Sequence, residues 1–230
     1  MRPMCVYMGW QLLLRLALAS TAAASGSHHA ADALATATIY TDLQAAAPAG
    51  VIDAMRAEVE SILQPAGLHF RWQPLAEFRS EAVTAAVVVV HFEGSCDMGR
   101  AAIVRDEPGP LGWSEISDRK ILPFLHVDCA RVRGFLSHTL LGYRPDTWDS
   151  AYGRALGRVL AHELYHVFAQ TARHASRGVG REEYSVAELL APEFRLQQKE
   201  IDILKSSKAL AGMKAANANS GGDAGANTQE

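Results

Sequence analysis

The chain is predicted to fold as a mixed α/β domain in which a small twisted sheet packs on one long helix, with further helices at the C-terminal end. Two observations predict this fold class. Short β-branched or fully apolar stretches recur up to residue 127, which is typical of strands. Residues 150–169 instead repeat their apolar side chains at the spacing of one helix face. Strands followed by helices predict one sheet layer covered by helices.

The first half of the domain is predicted to contain three strands and one helix. Residues 35–41 and 68–72 have the composition of strands, and residues 82–92 include an all-apolar run that indicates a buried strand. Residues 48–64 carry apolar side chains at helical spacing before Pro-Ala-Gly stops the helix. Those apolar positions are Val51, Ile52, Met55, Val59 and Ile62.

The middle of the chain is predicted to form a surface stretch and then another strand. Residues 93–118 are rich in Gly and Pro, and residues 108–113 within them are expected to border a cleft. Residues 121–127 are predicted to form a strand at the edge of the sheet, because Pro123 cannot donate a ladder hydrogen bond. We expect His126 on this strand to be a packed residue and not a metal ligand.

A long helix is predicted to begin within residues 146–150, with Asp149 or Ser150 as its N-cap. One side of this helix forms an apolar ridge at a spacing of four residues, which is expected to pack into the core. The ridge comprises Leu156, Leu160, Leu164 and Phe168.

Beyond the long helix, the pattern predicts two more helices and a disordered tail. Residues 185–190 begin with a capping box made by Ser185 and Glu188. Residues 194–210 are loosely amphipathic and are predicted to form one helix. Residues 212–230 are mostly Ala, Asn, Gly and Ser without periodicity, so we predict that they are disordered.

The long helix carries His162-Glu163-x-x-His166 on the side away from its apolar ridge. Histidines four residues apart lie one turn apart on the same face, so both imidazoles can reach one ion. Glu163 lies beside them, where it can take a proton from a water that the ion activates. The motif therefore predicts a zinc site with Glu163 as general base.

A catalytic zinc ion takes three protein ligands and keeps one open position. His174 is the first candidate, but on a continued helix it would lie about 12 Å beyond His166. The chain must therefore leave the helix between residues 169 and 173 and bend back. Acidic side chains are the rival third ligands, although one of them already has a capping role. These acids are Glu182, Glu183 and Glu188.

The motif resembles that of the metzincin group of zinc peptidases, in which His-Glu-x-x-His-x-x-Gly-x-x-His is followed by a Met-containing turn. The match is full over the first five motif positions. Ala169 then stands where the group has Gly, and the third His arrives two residues late, at His174. No Met follows before Met213, and residues 178–180 (Gly-Val-Gly) occupy a place similar to that of the Met-containing turn. An acidic third ligand would instead resemble the gluzincin group.

The resemblance implies a zincin-like fold over about residues 35–190 and hydrolysis of peptide bonds in a polypeptide substrate, with Zn²⁺ held by His162, His166 and His174. It also implies that the substrate adds as a strand along residues 121–127. Tyr165 and Tyr184 are candidates by residue type for stabilising the tetrahedral oxyanion. Two other functions stay open: a zinc-binding peptide-recognition domain without catalysis, and a zinc amidase acting on cell-wall material. The intact Glu163 argues against the first, since a structural zinc site closes all four positions.

Residues 1–24 have the order of a signal peptide, with basic Arg2, an apolar run over residues 10–19 and small residues before the cleavage point. The run is too short to span a membrane. We therefore predict a secreted or periplasmic protein, with a linker at residues 25–34 and a zinc metallopeptidase domain at residues 35–211.

Cleavage of the signal peptide would remove Cys5 and leave Cys96 and Cys129. An even pair in an oxidising compartment predicts a disulfide, and two buried reduced thiols are the alternative. The formal net charge of −3 and the lack of a basic patch predict no nucleic-acid partner. The sequence leaves the oligomeric state open.

Overall fold

The computed structural model of the 230-residue chain describes residues 34–79, 86–98 and 109–220, and for residues 218–220 only the backbone. The predicted signal peptide (residues 1–24) lies outside the described residues, as do residues 25–33 of the predicted linker and residues 221–230 of the predicted tail.

The described residues form five strands and six α-helices. The strands are β1 (Ala35–Leu43), β2 (Leu68–Pro74), β3 (Val87–Glu93), β4 (Gly112–Ser117) and β5 (Lys120–Asp128). The helices are α1 (Ala49–Leu63), α2 (Cys129–Leu140), α3 (Trp148–Ala169), α4 (Val186–Leu190), α5 (Gln198–Lys205) and α6 (Lys208–Ser220). The predicted fold class, a mixed α/β domain with a small sheet, a long helix and C-terminal helices, is confirmed.

The strands form one sheet in the order β2-β1-β3-β5-β4. The pairs β1–β2, β1–β3 and β3–β5 are parallel, and β4 runs antiparallel to β5. Helices α1 and α3 lie against the sheet and against each other. The predicted apolar ridge of α3 is fully or almost fully buried in the core that these elements share, at Leu156, Leu160, Leu164 and Phe168.

Two glycines let α3 approach α1 closely. A Cβ atom at Gly157 would lie 2.7 Å from the Met55 carbonyl oxygen and 2.9 Å from Cβ of Glu58. A Cβ atom at Gly153 would lie 2.9 Å from Cβ of Ala54. Real Cβ atoms do not approach other atoms this closely, so the two backbones can be this near only because both positions are glycine. The contact fixes the position of α3, and with it the motif histidines.

The predictions for the middle strands are wrong in two respects. Residues 112–117 form strand β4 and not a surface stretch, and β4 is the edge strand while β5 lies inside the sheet. Pro123 is tolerated inside β5 for a local reason. Pairing of β5 with β3 starts only at Phe124, and on the other side the register with β4 shifts between Ser114 and Ile116. No regular ladder hydrogen bond is required of Pro123 at this point.

The predicted start of the long helix also needs correction. Helix α3 begins at Trp148, and neither Asp149 nor Ser150 is its N-cap. The residue before the helix is Thr147, whose side chain makes no capping bond to the helix. A 3₁₀ turn over Pro145–Thr147 leads directly into α3. The chain is thus already helical at the positions where the sequence predicted the N-cap.

The C-terminal region contains two helices where the sequence predicted one over residues 194–210. Helix α5 ends at Lys205 and α6 starts at Lys208, where the Ser207 hydroxyl accepts a hydrogen bond from the Leu210 amide. Helix α6 continues to Ser220, so the prediction of disorder from Gly212 is wrong for residues 212–220. By contrast, the predicted capping box of Ser185 and Glu188 is confirmed at the start of α4.

Cys96 and Cys129 form a disulfide, as predicted. It joins the segment after β3 to the first residue of α2, a helix that was not predicted from the sequence. Within the part of the chain that the structure describes, no helix has both the length and the apolar character that crossing a membrane would require.

Candidate metal centre

The face of α3 opposite its ridge carries both motif histidines on adjacent turns. His162 and His166 are buried, and their Nε2 atoms lie 3.0 Å apart. The rings meet edge to face, with centroids 4.5 Å apart. The spacing of four residues on a straight helix thus brings two imidazole nitrogens to one point, as the sequence predicted.

A turn at the end of α3 brings the third histidine back to this point. The helix ends at Ala169, and Gln170 adopts a left-handed conformation with φ of 50°. The turn residue is therefore Gln170, one position beyond the one that the metzincin pattern assigns to Gly. The Gln170 side chain holds the turn by donating hydrogen bonds to the carbonyl oxygens of Ile121 (3.1 Å) and Val167 (2.8 Å).

His174 follows this turn and completes a cluster of three imidazoles. Its ring lies parallel to that of His162, with the ring centroids 5.4 Å apart. It meets the ring of His166 edge to face, with the centroids 4.9 Å apart. Each of the three side chains offers one nitrogen, and these nitrogens lie within 4.8 Å of one another. We call His162, His166 and His174 the histidine cluster.

Backbone carbonyls fix the tautomers of the two helical histidines. Nδ1–H of His162 donates to the Val179 carbonyl oxygen at 2.7 Å, and Nδ1–H of His166 donates to the Thr171 carbonyl oxygen at 2.5 Å. A carbonyl oxygen can only accept, so the proton of each neutral ring lies on Nδ1 and the lone pair on Nε2. The two Nε2 lone pairs consequently face each other at 3.0 Å with no proton between them. Such an arrangement is unfavourable alone and suits a cation held between the rings.

The protonation of His162 and His166 also fits a metal ion. Burial, the largest cause, lowers the pKa of His162 to about 4, although the hydrogen bond to Val179 opposes it. Burial likewise lowers the pKa of His166. Both rings are therefore neutral near pH 7, which is the form that ligates metals. Three imidazole nitrogens with an open fourth position are a donor set that suits zinc in a catalytic site.

Glu163 lies beside the cluster and is almost completely buried. Its Oε1 atom is 3.9 Å from Nε2 of His162, and its Oε2 atom accepts a hydrogen bond of 2.7 Å from the Ser114 hydroxyl. Burial raises the pKa of Glu163 to about 7, and the bond from Ser114 acts in the opposite direction. A carboxyl group with a pKa near neutrality can both accept and donate a proton.

Glu163 and His162 open onto a cleft of about 560 Å³. One wall comes from the start of β4 and the residues before it, and another from α2. Residues 182–184 form part of the rim. Other residues that line the cleft include Pro110, Leu111, Arg131, Phe135, Val159 and Tyr184.

The edge strand β4 passes very close to α3 at Gly112. A Cβ atom at this position would lie 2.8 Å from Cγ1 of Val159 and 3.4 Å from Cγ of Glu163. Only a residue without a side chain fits here unless its neighbours move. The close approach brings Ser114, two residues further along β4, within hydrogen-bond reach of Glu163.

The other candidates from the sequence lie elsewhere or are already bonded. Among the described residues, no acid belongs to the group that could hold the ion: Glu182 and Glu183 line the cleft, and Glu188 bonds to Arg181 and Ser185. His126 lies outside the cluster, and its ring stacks on that of Trp113 with the ring centroids 4.7 Å apart.

The two tyrosine candidates differ in position. Tyr184 lines the cleft, but its hydroxyl donates to the Val179 carbonyl oxygen. Tyr165 is buried against Gly180 and does not line the cleft.

Several residues of the site gave no usable signal in the sequence. Ser114 lies in a stretch that we predicted to be surface loop, and the carbonyls of Thr171 and Val179 act through the backbone, whose position no residue type reveals. Glu200 is buried beneath residues 178–180. Its spacing from Gln197 is that of a capping box, which was the one available signal for it.

No protein-family model matches the chain, and no curated protein matches it. Among solved structures, the fold is similar to that of archaemetzincin from Methanopyrus kandleri, with 13% sequence identity and a TM-score of 0.41. The similarity covers 80% of this chain and 97% of that one. At this level of identity the similarity is remote.

Proposed function

We propose that the chain is a secreted, zinc-dependent peptidase that hydrolyses peptide bonds. The observation that carries the proposal is the convergence of two imidazole lone pairs at 3.0 Å, with a third imidazole and a cleft carboxyl group beside them. His162, His166 and His174 would hold the zinc ion. When bound, zinc would polarise the scissile carbonyl and acidify water.

Glu163 would act as the general base and then as the general acid. One of its carboxylate oxygens accepts a proton from the water molecule whose oxygen attacks the carbonyl carbon. The same group then delivers that proton to the amine nitrogen as the carbon–nitrogen bond breaks. The Ser114 hydroxyl holds the other carboxylate oxygen, so one oxygen of Glu163 stays directed at the reaction.

We propose that a peptide substrate lies along β4, in place of the position along residues 121–127 (β5) that the metzincin resemblance implied. Two features support this. Strand β4 has a single neighbour, β5, among the described strands, and its first residue, Gly112, lines the cleft. A peptide added at this edge would gain main-chain hydrogen bonds without strong sequence choice.

The proposal is tested by replacing Glu163 with Gln in the full chain. We expect E163Q to bind about one zinc ion per chain, because no ligand is changed, and to lose casein hydrolysis by at least about 1000-fold. Zinc content is measured by elemental mass spectrometry, and hydrolysis by release of labelled casein fragments. Glu60→Gln, a change at a carboxyl group outside the site, is the matched control and should retain activity.

The same assays separate the proposal from the two alternatives. A wild-type protein that is fully loaded with zinc and cuts no polypeptide would contradict the peptidase proposal and favour a binding domain. Activity on peptidoglycan fragments but not on casein would favour an amidase.

A further inference from the structure

Glu200 is a buried acidic side chain outside the catalytic motif. It lies on α5 and is 2% exposed. Its carboxylate accepts three backbone hydrogen bonds, from the amides of Gln197 (2.6 Å), Gly180 (2.6 Å) and Val179 (3.3 Å). Among the described residues, no cationic side chain forms an ion pair with it. Burying a charged carboxylate costs free energy unless hydrogen bonds compensate for the lost water. The backbone amides around Glu200 therefore have to supply that compensation.

The bond from Gln197 explains only part of this arrangement. It belongs to the capping box that begins α5, and a capping box also works at the protein surface, as Glu188 does on α4. The other two bonds go to residues 178–180, which lie 20 to 22 positions earlier in the chain. The carboxylate therefore has a second role, in holding residues 178–180.

The backbone of residues 178–180 is shaped to reach this carboxylate. Gly178 has φ of 83°, a left-handed conformation that favours glycine. A Cβ atom at Gly180 would lie 3.0 Å from Oε1 of Glu200 and 3.0 Å from Cε1 of Tyr165. Both glycines permit the main chain to lie directly on the carboxylate, with consecutive N–H groups directed at it.

A single peptide group connects Glu200 to the histidine cluster. The amide N–H of Gly180 and the carbonyl of Val179 belong to the same peptide unit. The N–H donates to Glu200, and the carbonyl oxygen accepts Nδ1–H of His162. Hydrogen bonds in series polarise one another, so the carboxylate makes the carbonyl a stronger acceptor.

We propose that Glu200 is a positioning residue for the metal centre. Acting through the Val179–Gly180 peptide unit, it holds the Val179 carbonyl in place, fixes the tautomer and orientation of His162, and strengthens Nε2 of His162 as a metal ligand. Metal-binding histidines commonly have a carboxylate or carbonyl partner on the other ring nitrogen. Here the two partners act in series. The inference rests on the proposed zinc site.

The test compares zinc affinity in the full-length wild type, Glu200→Gln and Glu188→Gln. Glu188 is the matched control because it also forms a capping box but makes no bond to Val179 or Gly180. We expect E200Q to raise the zinc Kd, measured by chelator competition, by roughly 10-fold to 100-fold. E188Q should change it by less than about 2-fold.

A second readout separates positioning from simple stabilisation. In the zinc-free folded protein, the ¹⁵N and ¹H resonances of the His162 ring report its tautomer and its Nδ1–H hydrogen bond. We expect E200Q to shift the Nδ1–H resonance and E188Q to leave it unchanged. A role confined to stability would lower the melting temperature without moving the Kd or the resonance. If E200Q does not fold, Glu200→Asp, which keeps the charge but shortens the reach, is measured against the same thresholds.

The outcomes distinguish this inference from the proposed function. If the wild type binds no zinc, the proposed function fails and the inference fails with it. If the wild type binds zinc and the Glu200 variant matches it in Kd and in the His162 resonance, the inference alone is overturned.

Discussion

His162 and His166 illustrate how main-chain atoms decide the chemistry of side chains. Nδ1–H of His162 donates a hydrogen bond to the Val179 carbonyl oxygen, and Nδ1–H of His166 donates to that of Thr171. The Nε2 lone pairs of the two rings therefore face each other. The motif supplies two imidazoles on one helix face, but the tautomers depend on the segment after α3. A substitution that moves this segment is therefore expected to affect metal binding without touching a ligand.

Ser114→Ala is predicted to impair catalysis without affecting metal binding. The variant loses the hydroxyl that donates to Oε2 of Glu163, and hydrogen bonds to charged groups contribute about 1.5–3 kcal/mol. We expect kcat/KM on a fluorogenic peptide to fall by about 10-fold, with zinc content unchanged. Ser117→Ala, an exposed serine on the same strand, is the control. An S114A enzyme as fast as the S117A control would show that this bond does not orient Glu163.

Gln170 supports a second residue-scale prediction, on stability. Its left-handed backbone is costly for a residue with a Cβ atom, by about 1 kcal/mol, but its side chain donates to two carbonyl oxygens. Gln170→Gly loses these bonds and relieves the backbone, whereas Gln170→Ala loses them and keeps the strain. We expect Q170A to be less stable than Q170G by about 1 kcal/mol in urea unfolding. The reverse order would contradict this account of the turn.

At the scale of elements, α3 both packs in the hydrophobic core and carries the motif residues of the candidate metal centre. One face is the apolar ridge, a second face carries the histidines and Glu163, and the glycines at 153 and 157 lie against α1. Because the helix is held on several sides, packing alone fixes the spacing of its histidines. The proposed zinc site would require such preorganisation.

Gly153→Ala is predicted to destabilise the protein by forcing α1 away from α3. The added Cβ atom would lie 2.9 Å from Cβ of Ala54 and would overlap the Val51 carbonyl oxygen. Overpacking of this kind costs about 1–3 kcal/mol. The matched control is Gly212→Ala in α6, where a Cβ atom would meet nothing within 4 Å. That change should be neutral or stabilise by up to about 1 kcal/mol.

Thermal and urea unfolding of both variants give the two free-energy changes. Equal stability of G153A and G212A would show that α1 and α3 can move apart at no cost, against the close contact at Gly153.

At the scale of the whole molecule, the disulfide ties one wall of the cleft to the sheet. It links the segment after β3 to the first residue of α2, the helix that supplies Arg131 and Phe135 to the cleft. Closing a loop with a sequence separation of 33 residues restricts the unfolded chain. In the chain-entropy account this contributes about 3–4 kcal/mol.

The double variant Cys96→Ser, Cys129→Ser is predicted to lose this stabilisation. We expect its free energy of unfolding in urea to be about 3 kcal/mol lower than that of the oxidised wild type. The reduced wild type is the control and should behave like the double variant. Equal stability of the oxidised and reduced wild type would contradict the prediction.

The features that could be predicted from the sequence are those whose residue pattern lies within one short segment of the chain. The ridge of α3, the valine run of β3 and the capping box of Ser185 and Glu188 are each visible in consecutive residues, and each is confirmed. The need for a turn after Ala169 also followed from helix geometry alone, because an unbroken helix would carry His174 away from His166.

What the sequence failed to predict depends on partners distant in the chain. Pro123 lies inside the sheet because the pairing on both of its sides is irregular there, and β4 is a strand because β5 pairs with it. The roles of Ser114 and Glu200 arise from contacts 49 residues away with Glu163 and 20 residues away with Gly180. Such contacts leave no periodic trace in one sequence.

The most direct test of the central claim is the zinc content of the purified full-length protein, measured by elemental mass spectrometry. We predict about one zinc ion per wild-type chain and a loss of that zinc in the double variant His162→Ala, His166→Ala, with His69→Ala as the control that keeps it. A wild-type protein without any transition metal, or a double variant that retains zinc as the wild type does, would contradict the account.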